Sequence, residues 1–190
     1  MPLDSESRWR MVRALRNKPQ TPVNDEPRLR PVEERDVPQL VEIYNYYVIN
    51  SVVTFDLEKL TAADWHTKLE YLKGLGLPFL VAESGSGQLL GFAYLAPWRQ
   101  KAAYRRTVEN SIYLRPAAIG KRIGTKLLTE LIERARAAGI KEIVAVISDK
   151  GADSSIALHE SFGFKNQGHL GKVGFKFGRW LGVILMQKSL

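Results

Sequence analysis

TVENSIYLRPAAIGKRIGTKLLTELIERARAAG, residues 107–139, decides the fold. Val108, Asn110, Ile112 and Leu114 alternate with Thr107, Glu109, Ser111 and Tyr113, the period of a half-buried strand. Pro116, with Ala117 and Ala118 behind it, closes that strand. From Ile123 the period changes. Ile123, Leu127, Leu131, Ile132, Ala135 and Ala138 recur at helical spacing, and Gly139 stands where a helix C′ glycine belongs. A strand that feeds a helix through a turn carrying Gly120 and Gly124 leaves the first N–H groups of the helix unpaired. They point at whatever lies in front, and the helix dipole favours an anion there. Lys121 and Arg122 add positive charge. The stretch is a candidate diphosphate cradle, although the same strand–turn–helix pattern also serves as a plain connector.

Upstream, residues 29–32 read as a first strand. Asp36 is placed to cap a helix with Pro38 in its first turn, and Leu40, Val41, Ile43, Tyr44, Tyr47 and Val48 supply its apolar faces. Residues 51–55 are a loop or short extended piece. Thr61 caps a second helix, whose Trp65, Leu69 and Leu72 share a face and which stops at Gly74 and Gly76. Residues 77–82 form a strand, and Gly85-Ser86-Gly87 turns it into a hairpin with 88–95. WRQKAAYRR, residues 98–106, is a basic, aromatic loop. Downstream, residues 142–147 are nearly all apolar, as in a strand covered on both faces. Ser154 or Ser155 opens a short helix that ends at Gly163. Residues 164–170 and 180–188 read as two last strands, joined by the glycine-rich link GKVGFKFGR. Strands alternating with helices, with a hairpin in the middle, predict a mixed α/β sheet with helices on its faces.

Composition bounds the reading. The 190 residues are enough for one domain, and 45% hydrophobic with 25% charged residues is ordinary for a globular chain. Residues 1–26 are basic around Ser7 to Lys18 and then rich in proline, so they form a separate tail or linker, with a targeting segment as the alternative; residues 27–190 form the domain. No apolar run approaches the roughly 18 residues that a bilayer span needs. There is no cysteine, which excludes disulfides, thiolate metal sites and an acyl-cysteine route, and no His/Asp/Glu cluster has metal spacing. The net charge of +8 suits an anionic partner, a nucleic acid or a phosphorylated cofactor alike.

Several short motifs narrow this. V-E-N-S-I-Y-L-R-P followed by G-K-x-I-G-x-x-L-L resembles the acetyl-CoA-binding core of the GNAT superfamily of N-acetyltransferases. I-Y-N-x-x-V at residue 43, T-F-D at Thr54, P-W-R at Pro97, T-V-E at Thr107, L-H-E-S-F-G-F at Leu158 and G-F-K-x-G-R-W at Gly174 are similar to its phosphinothricin and methionine sulfoximine acetyltransferase branch. The resemblance covers residues 28–190. It implies a GNAT fold in which two central parallel strands, 107–115 and 142–147, splay apart to admit the thioester arm of acetyl-CoA, the co-substrate. It also implies a homodimer. A cytoplasmic location and no nucleic-acid or membrane partner are expected as well.

The resemblance assigns roles residue by residue. Glu109 matches the base that takes a proton from the amine. Leu114 would offer its backbone N–H to the thioester carbonyl, with Ile112, Tyr113 and Leu114 pairing with the pantetheine amides. Gly120, Lys121, Arg122, Ile123, Gly124 and Thr125 would cradle the diphosphate. His159 stands where many acetyltransferases carry a tyrosine that protonates the leaving thiolate. Ala152 or Asp153 takes the place of a cofactor-contacting asparagine. Trp98, Arg99, Lys101, Tyr104 and Thr107 would hold a small acidic amine, with Phe55 and Phe175 shaping the wall. Some residues depart from the pattern. Ile119 replaces Arg or Gln, Lys101 replaces arginine, and Arg122 replaces a glycine, which requires ordinary helical backbone at that position. The function implied is direct acetyl transfer to a small amino acid or analogue. The rivals are the same fold with another acceptor (a protein N-terminus or a polyamine), a non-catalytic acyl-CoA binder, and a nucleic-acid binder working through residues 98–106.

Overall fold

A computed structural model describes residues 26–190. The expected tail lies outside the described residues except for Glu26, whose carboxylate accepts a 2.8 Å hydrogen bond from Lys126 Nζ. Seven strands form one mixed sheet: β1 (Arg28–Pro31), β2 (Phe79–Glu83), β3 (Leu89–Pro97), β4 (Thr107–Leu114), β5 (Glu142–Ser148), β6 (Lys165–Lys176) and β7 (Arg179–Ser189). Their spatial order is β1-β2-β3-β4-β5-β7-β6. Only β4 and β5 run parallel; every other neighbouring pair is antiparallel. Among the described residues, four α-helices cover the faces: α1 (Val37–Asn50), α2 (Ala62–Gly74), α3 (Ile123–Ala137) and α4 (Asp153–Ser161).

Strand alternation divides the core in two. Leu80, Ala82, Ala93, Leu95 and Val108 pack under α3, whose Leu127, Leu128 and Leu131 are fully buried. Each such side chain stabilises the fold by about 1.5–3 kcal/mol relative to exposure. The alternate residues Phe79, Val81, Phe92, Tyr94 and Tyr113 pack against α1 and α2, through Leu40, Ile43, Tyr44, Trp65 and Leu72. Odd-numbered residues of β4, Glu109 among them, therefore face α1 and α2. Even-numbered ones face α3 and α4.

The helix limits follow local chemistry. Thr61 caps α2 by accepting from Asp64 N–H while the Asp64 carboxylate accepts from Thr61 N–H at 2.7 Å, a reciprocal capping box. Gly139, at φ +75°, takes the left-handed conformation past the end of α3. Asp36 precedes α1 as expected, but its side chain does not cap that helix. It accepts from Glu33 N–H at 2.8 Å and binds the Arg30 guanidinium through both oxygens at 2.7 and 2.8 Å. Arg30 also bonds Glu83 on β2, so one buried guanidinium ties the first strand, the next turn and the sheet together.

Three expectations are corrected. The glycine-rich link is strand: β6 runs on to Lys176 with register shifts between Leu170 and Gly174, and only Phe177 and Gly178 turn the chain into β7. Pairing with β7 over Gly174–Lys176 offsets the strand cost of glycine. The last helix opens at Asp153, not at Ser154 or Ser155. Arg122 is not ordinary helix; its φ of 59° and ψ of 15° are left-handed.

Candidate active site

β4 and β5 pair over only three residues: Thr107 with Glu142, Val108 with Ile143, and Glu109 with Val144. Beyond Glu109 they part. β4 continues to Leu114 held by β3 alone, and β5 continues to Ser148 held by β7 alone. At the ends of the β3–β4 ladder, Trp98 N–H bonds Thr107 O and Arg115 N–H bonds Leu90 O. Odd-numbered β4 residues thus direct their backbone groups at β3, and Asn110, Ile112 and Leu114 direct theirs into the fork. Tyr47 OH on α1 donates to Leu114 O at 2.5 Å and fixes the fork's upper end. Gly91 is required opposite, because a Cβ there would lie 2.5 Å from Leu114 Cδ2.

The turn into α3 closes the open end. The first helical bond runs from Lys126 N–H to Arg122 O, so the N–H groups of Ile123, Gly124 and Thr125 have no intrahelical partner. Gly120 (φ +81°) and Arg122 both adopt left-handed backbone, one on each side of Lys121, which makes the turn concave. A non-glycine residue in that conformation carries strain of about 1–2 kcal/mol. Gly124 lies against Leu114 and Leu158, where an added Cβ would approach Leu158 Cδ2 to 3.3 Å. Ile123 is buried; Lys121, Arg122 and Thr125 are exposed. Ala152 is buried at the N-cap of α4, and Asp153 is exposed beside it. An open fork edged by backbone donors and ending at a cationic helix N-terminus fits an extended amide chain tipped with a diphosphate, the shape of coenzyme A.

On the α3/α4 side, Asn110 and His159 form a buried pair. His159 Nδ1 lies 2.7 Å from Ser155 O, and its Nε2 lies 2.9 Å from Asn110 Nδ2. A carbonyl can only accept, so the imidazole proton is on Nδ1 and Nε2 accepts from the amide. Burial lowers the His159 pKa, against the Ser155 carbonyl, which favours the charged form. The ring therefore has no proton directed at the fork, and the thiolate-protonating role expected of it lacks that geometry. Asn110 Oδ1 is buried without a partner among the described residues, an acceptor available to a ligand N–H.

Glu109 occupies the opposite face. Its burial raises the carboxyl pKa, while Arg99 and, to a lesser degree, Lys68 pull it down. Arg99 lies over the Trp98 ring at 4.5 Å. Arg99, Lys101, Tyr104 and Thr107 line one cavity of about 430 Å³, bordered by Tyr71 of α2, by Leu75 just past its end and by Ala138 after α3. Phe55 packs on Gly174, where a Cβ would come within 2.5 Å of its ring. Phe175 is 55% exposed and meets Trp180 edge-to-face at 5.4 Å, so it belongs to the β6–β7 hairpin surface.

Sequence reasoning missed Lys68, Asn110 and Tyr94. Lys68 had a legible signal: it lies three residues after Trp65, inside the stripe that Trp65, Leu69 and Leu72 bury, where a charge needs a reason.

A mixed sheet with two parting parallel strands, a cationic turn at the fork and a half-buried carboxylate at its apex define an acyl-CoA-dependent transferase. The chain matches the acetyltransferase (GNAT) domain over residues 29–185 and belongs to that family. It is an N-acetyltransferase with acetyl-CoA as co-substrate. It is 38% identical over 162 residues to phosphinothricin N-acetyltransferase of Alcaligenes faecalis, covering 85% of this chain and 82% of that one. It is 39% identical over 155 residues to L-methionine sulfoximine/L-methionine sulfone acetyltransferase of Pseudomonas aeruginosa, covering 82% and 90%. The Sinorhizobium meliloti phosphinothricin acetyltransferase, solved with acetyl-CoA, superposes with a TM-score of 0.83 at 41% identity, over 87% of this chain and 89% of that one. The expected fold, family and co-substrate are borne out.

Proposed function

We propose that the acceptor is the α-amino group of a small amino acid or analogue of the phosphinothricin or methionine sulfoximine type, acetylated by direct attack in a ternary complex. One observation carries the reading: the half-buried Glu109 carboxylate stands where β4 and β5 part, with Arg99 and Lys68 acting on it. An ammonium has a counter-charge there, and the cations suit the acid group of the same molecule. The relatives' names point to the same acceptor class.

Acetyl-CoA, when bound, supplies the acyl carbon and a thiolate leaving group. Glu109 takes the proton that the ammonium must lose, directly or through one water, and so frees the nitrogen lone pair. The fork-facing N–H groups of Ile112 and Leu114 are fixed donors for the charge that grows on the carbonyl oxygen. Gly120 to Thr125 hold the diphosphate by backbone donors, with Lys121 and Arg122 adding charge. His159 keeps Asn110 in place, a positioning role in this reading.

A homodimer belongs to the same reading. Leu170, Val173, Phe175, Phe177 and Trp180 are each about half exposed on the β6–β7 hairpin, at the sheet's edge. A row of this kind suits a second copy. Sedimentation of the full chain tests it, and a monomer at micromolar concentration contradicts it. A cytoplasmic location is also proposed, tested by fractionation of cells that express the chain. Among the described residues, no helix is long and apolar enough to cross a membrane.

Thiol release from acetyl-CoA tests the acceptor class. L-methionine sulfone, L-methionine sulfoximine and phosphinothricin are compared with spermidine and a peptide N-terminus. Turnover on the three amino acids exceeding the other two by at least ten-fold in kcat/KM is expected. The reverse order contradicts the reading.

A further inference from the structure

Lys68 lies on the face of α2 turned to the sheet, a costly place for an ammonium. It is half-buried between Trp65, which is fully buried, and the sheet. Its Nζ stands 5.0 Å from the ring centres of both Trp65 and Tyr94 and donates to Tyr94 OH at 3.3 Å. Two aromatic faces and a phenol oxygen hold the charge in one place. No carboxylate forms an ion pair with it among the described residues.

The sheet register says what Lys68 overlooks. Tyr94 lies opposite Ser111, and Ala96 lies opposite Glu109. Tyr94 and Glu109 are thus diagonal neighbours on one face, about 7–8 Å apart at the backbone. An ammonium held on Tyr94 and a carboxylate on Glu109 border the same space from two sides. In an α-amino acid, one carbon separates the amino nitrogen from the carboxyl group. A molecule whose nitrogen meets Glu109 has its carboxylate within reach of Lys68. A polyamine has only cations to offer there, and a peptide N-terminus has an uncharged carbonyl.

We propose that Lys68 binds the α-carboxylate of the acceptor and makes the enzyme selective for free amino acids over amides, peptides and amines. The assignment rests on the proposed acceptor class and adds to it the residue that reads the carboxylate. The aromatic pair keeps the ammonium in place before the acceptor arrives, so little ordering is left to the binding step.

The test compares the parent with Lys68→Met, which keeps most of the apolar stem, and Lys68→Arg, which keeps the charge. The acceptors are L-methionine sulfone and its α-carboxamide, and thermal melts check that both variants are folded. In the parent, kcat/KM favours the free acid by ten-fold or more. In Lys68→Met the preference falls to within about three-fold, through a KM raised more for the acid than for the amide, with the KM for acetyl-CoA nearly unchanged. Lys68→Arg recovers at least part of the preference. An undiminished preference for the acid in folded Lys68→Met overturns the assignment and leaves the acceptor reading intact. Equal loss on acid and amide also overturns it. Turnover of neither compound by the parent, with acetyl-CoA still bound, overturns the acceptor reading and the assignment with it.

Discussion

Glu109 lies opposite Val144 in the last parallel pair before β4 and β5 separate. The side chain of one fork-apex residue is thus the candidate base, and the backbone beyond it is left free to meet the acyl arm. In the proposed mechanism, chemistry and cofactor entry are both set by a single change in strand pairing.

Burial raises the Glu109 pKa, and Arg99 opposes it. A base must be deprotonated, so kcat/KM rises with pH through that value. Arg99→Gln removes the larger of the two opposing charges. The acid limb of the profile is expected to move to higher pH, while the limb due to the acceptor's own ammonium stays in place. An unmoved acid limb contradicts the assignment of Glu109 to it.

His159 has a folded-state pKa below its ordinary value of 6.5. Between those two values the unfolded chain binds the proton and the folded chain does not. Stability is therefore lost as pH falls from about 6.5, and this loss ends below the folded pKa. His159→Gln is expected to flatten that segment, read by urea unfolding at several pH values.

Arg122 is left-handed at a position that glycine tolerates without strain. Arg122→Gly is expected to stabilise the fold by about 1 kcal/mol. Arg122→Ala keeps the strain and gains nothing. Both variants lose a cation at the turn, and both should raise the KM for acetyl-CoA several-fold at low salt, less at high salt.

Arg30→Met leaves Asp36, which is 2% exposed, without its guanidinium. An unpaired buried carboxylate costs about 3–5 kcal/mol. Urea unfolding should show a loss of this order, partly recovered in Arg30→Met/Asp36→Asn, where the stranded charge is gone.

The β4–α3 stretch was legible because its hydrophobic period switches from two to nearly four at a glycine turn, a local signal. The face assignment of Glu109 followed from alternation alone. Lys68 was not legible as a site residue, since its meaning comes from Tyr94, which reaches it through α2 packing on β3. Arg122 misled because propensity assigns a non-glycine residue to ordinary helix, while the turn demands left-handed backbone there. The glycines of residues 171–179 read as a link, yet long-range pairing with β7 makes most of them strand. His159 was marked by its motif. Its bond to Ser155 stays within one turn of α4, but its engagement with Asn110 depends on how α4 docks on β4, which no local pattern encodes.

Turnover of Glu109→Gln at saturating acetyl-CoA and L-methionine sulfone, near neutral pH, tests the central claim most directly. A fall in kcat on the order of 10² or more, with acetyl-CoA binding unchanged, is predicted. Turnover within a few-fold of the parent would contradict Glu109 as the base at the fork.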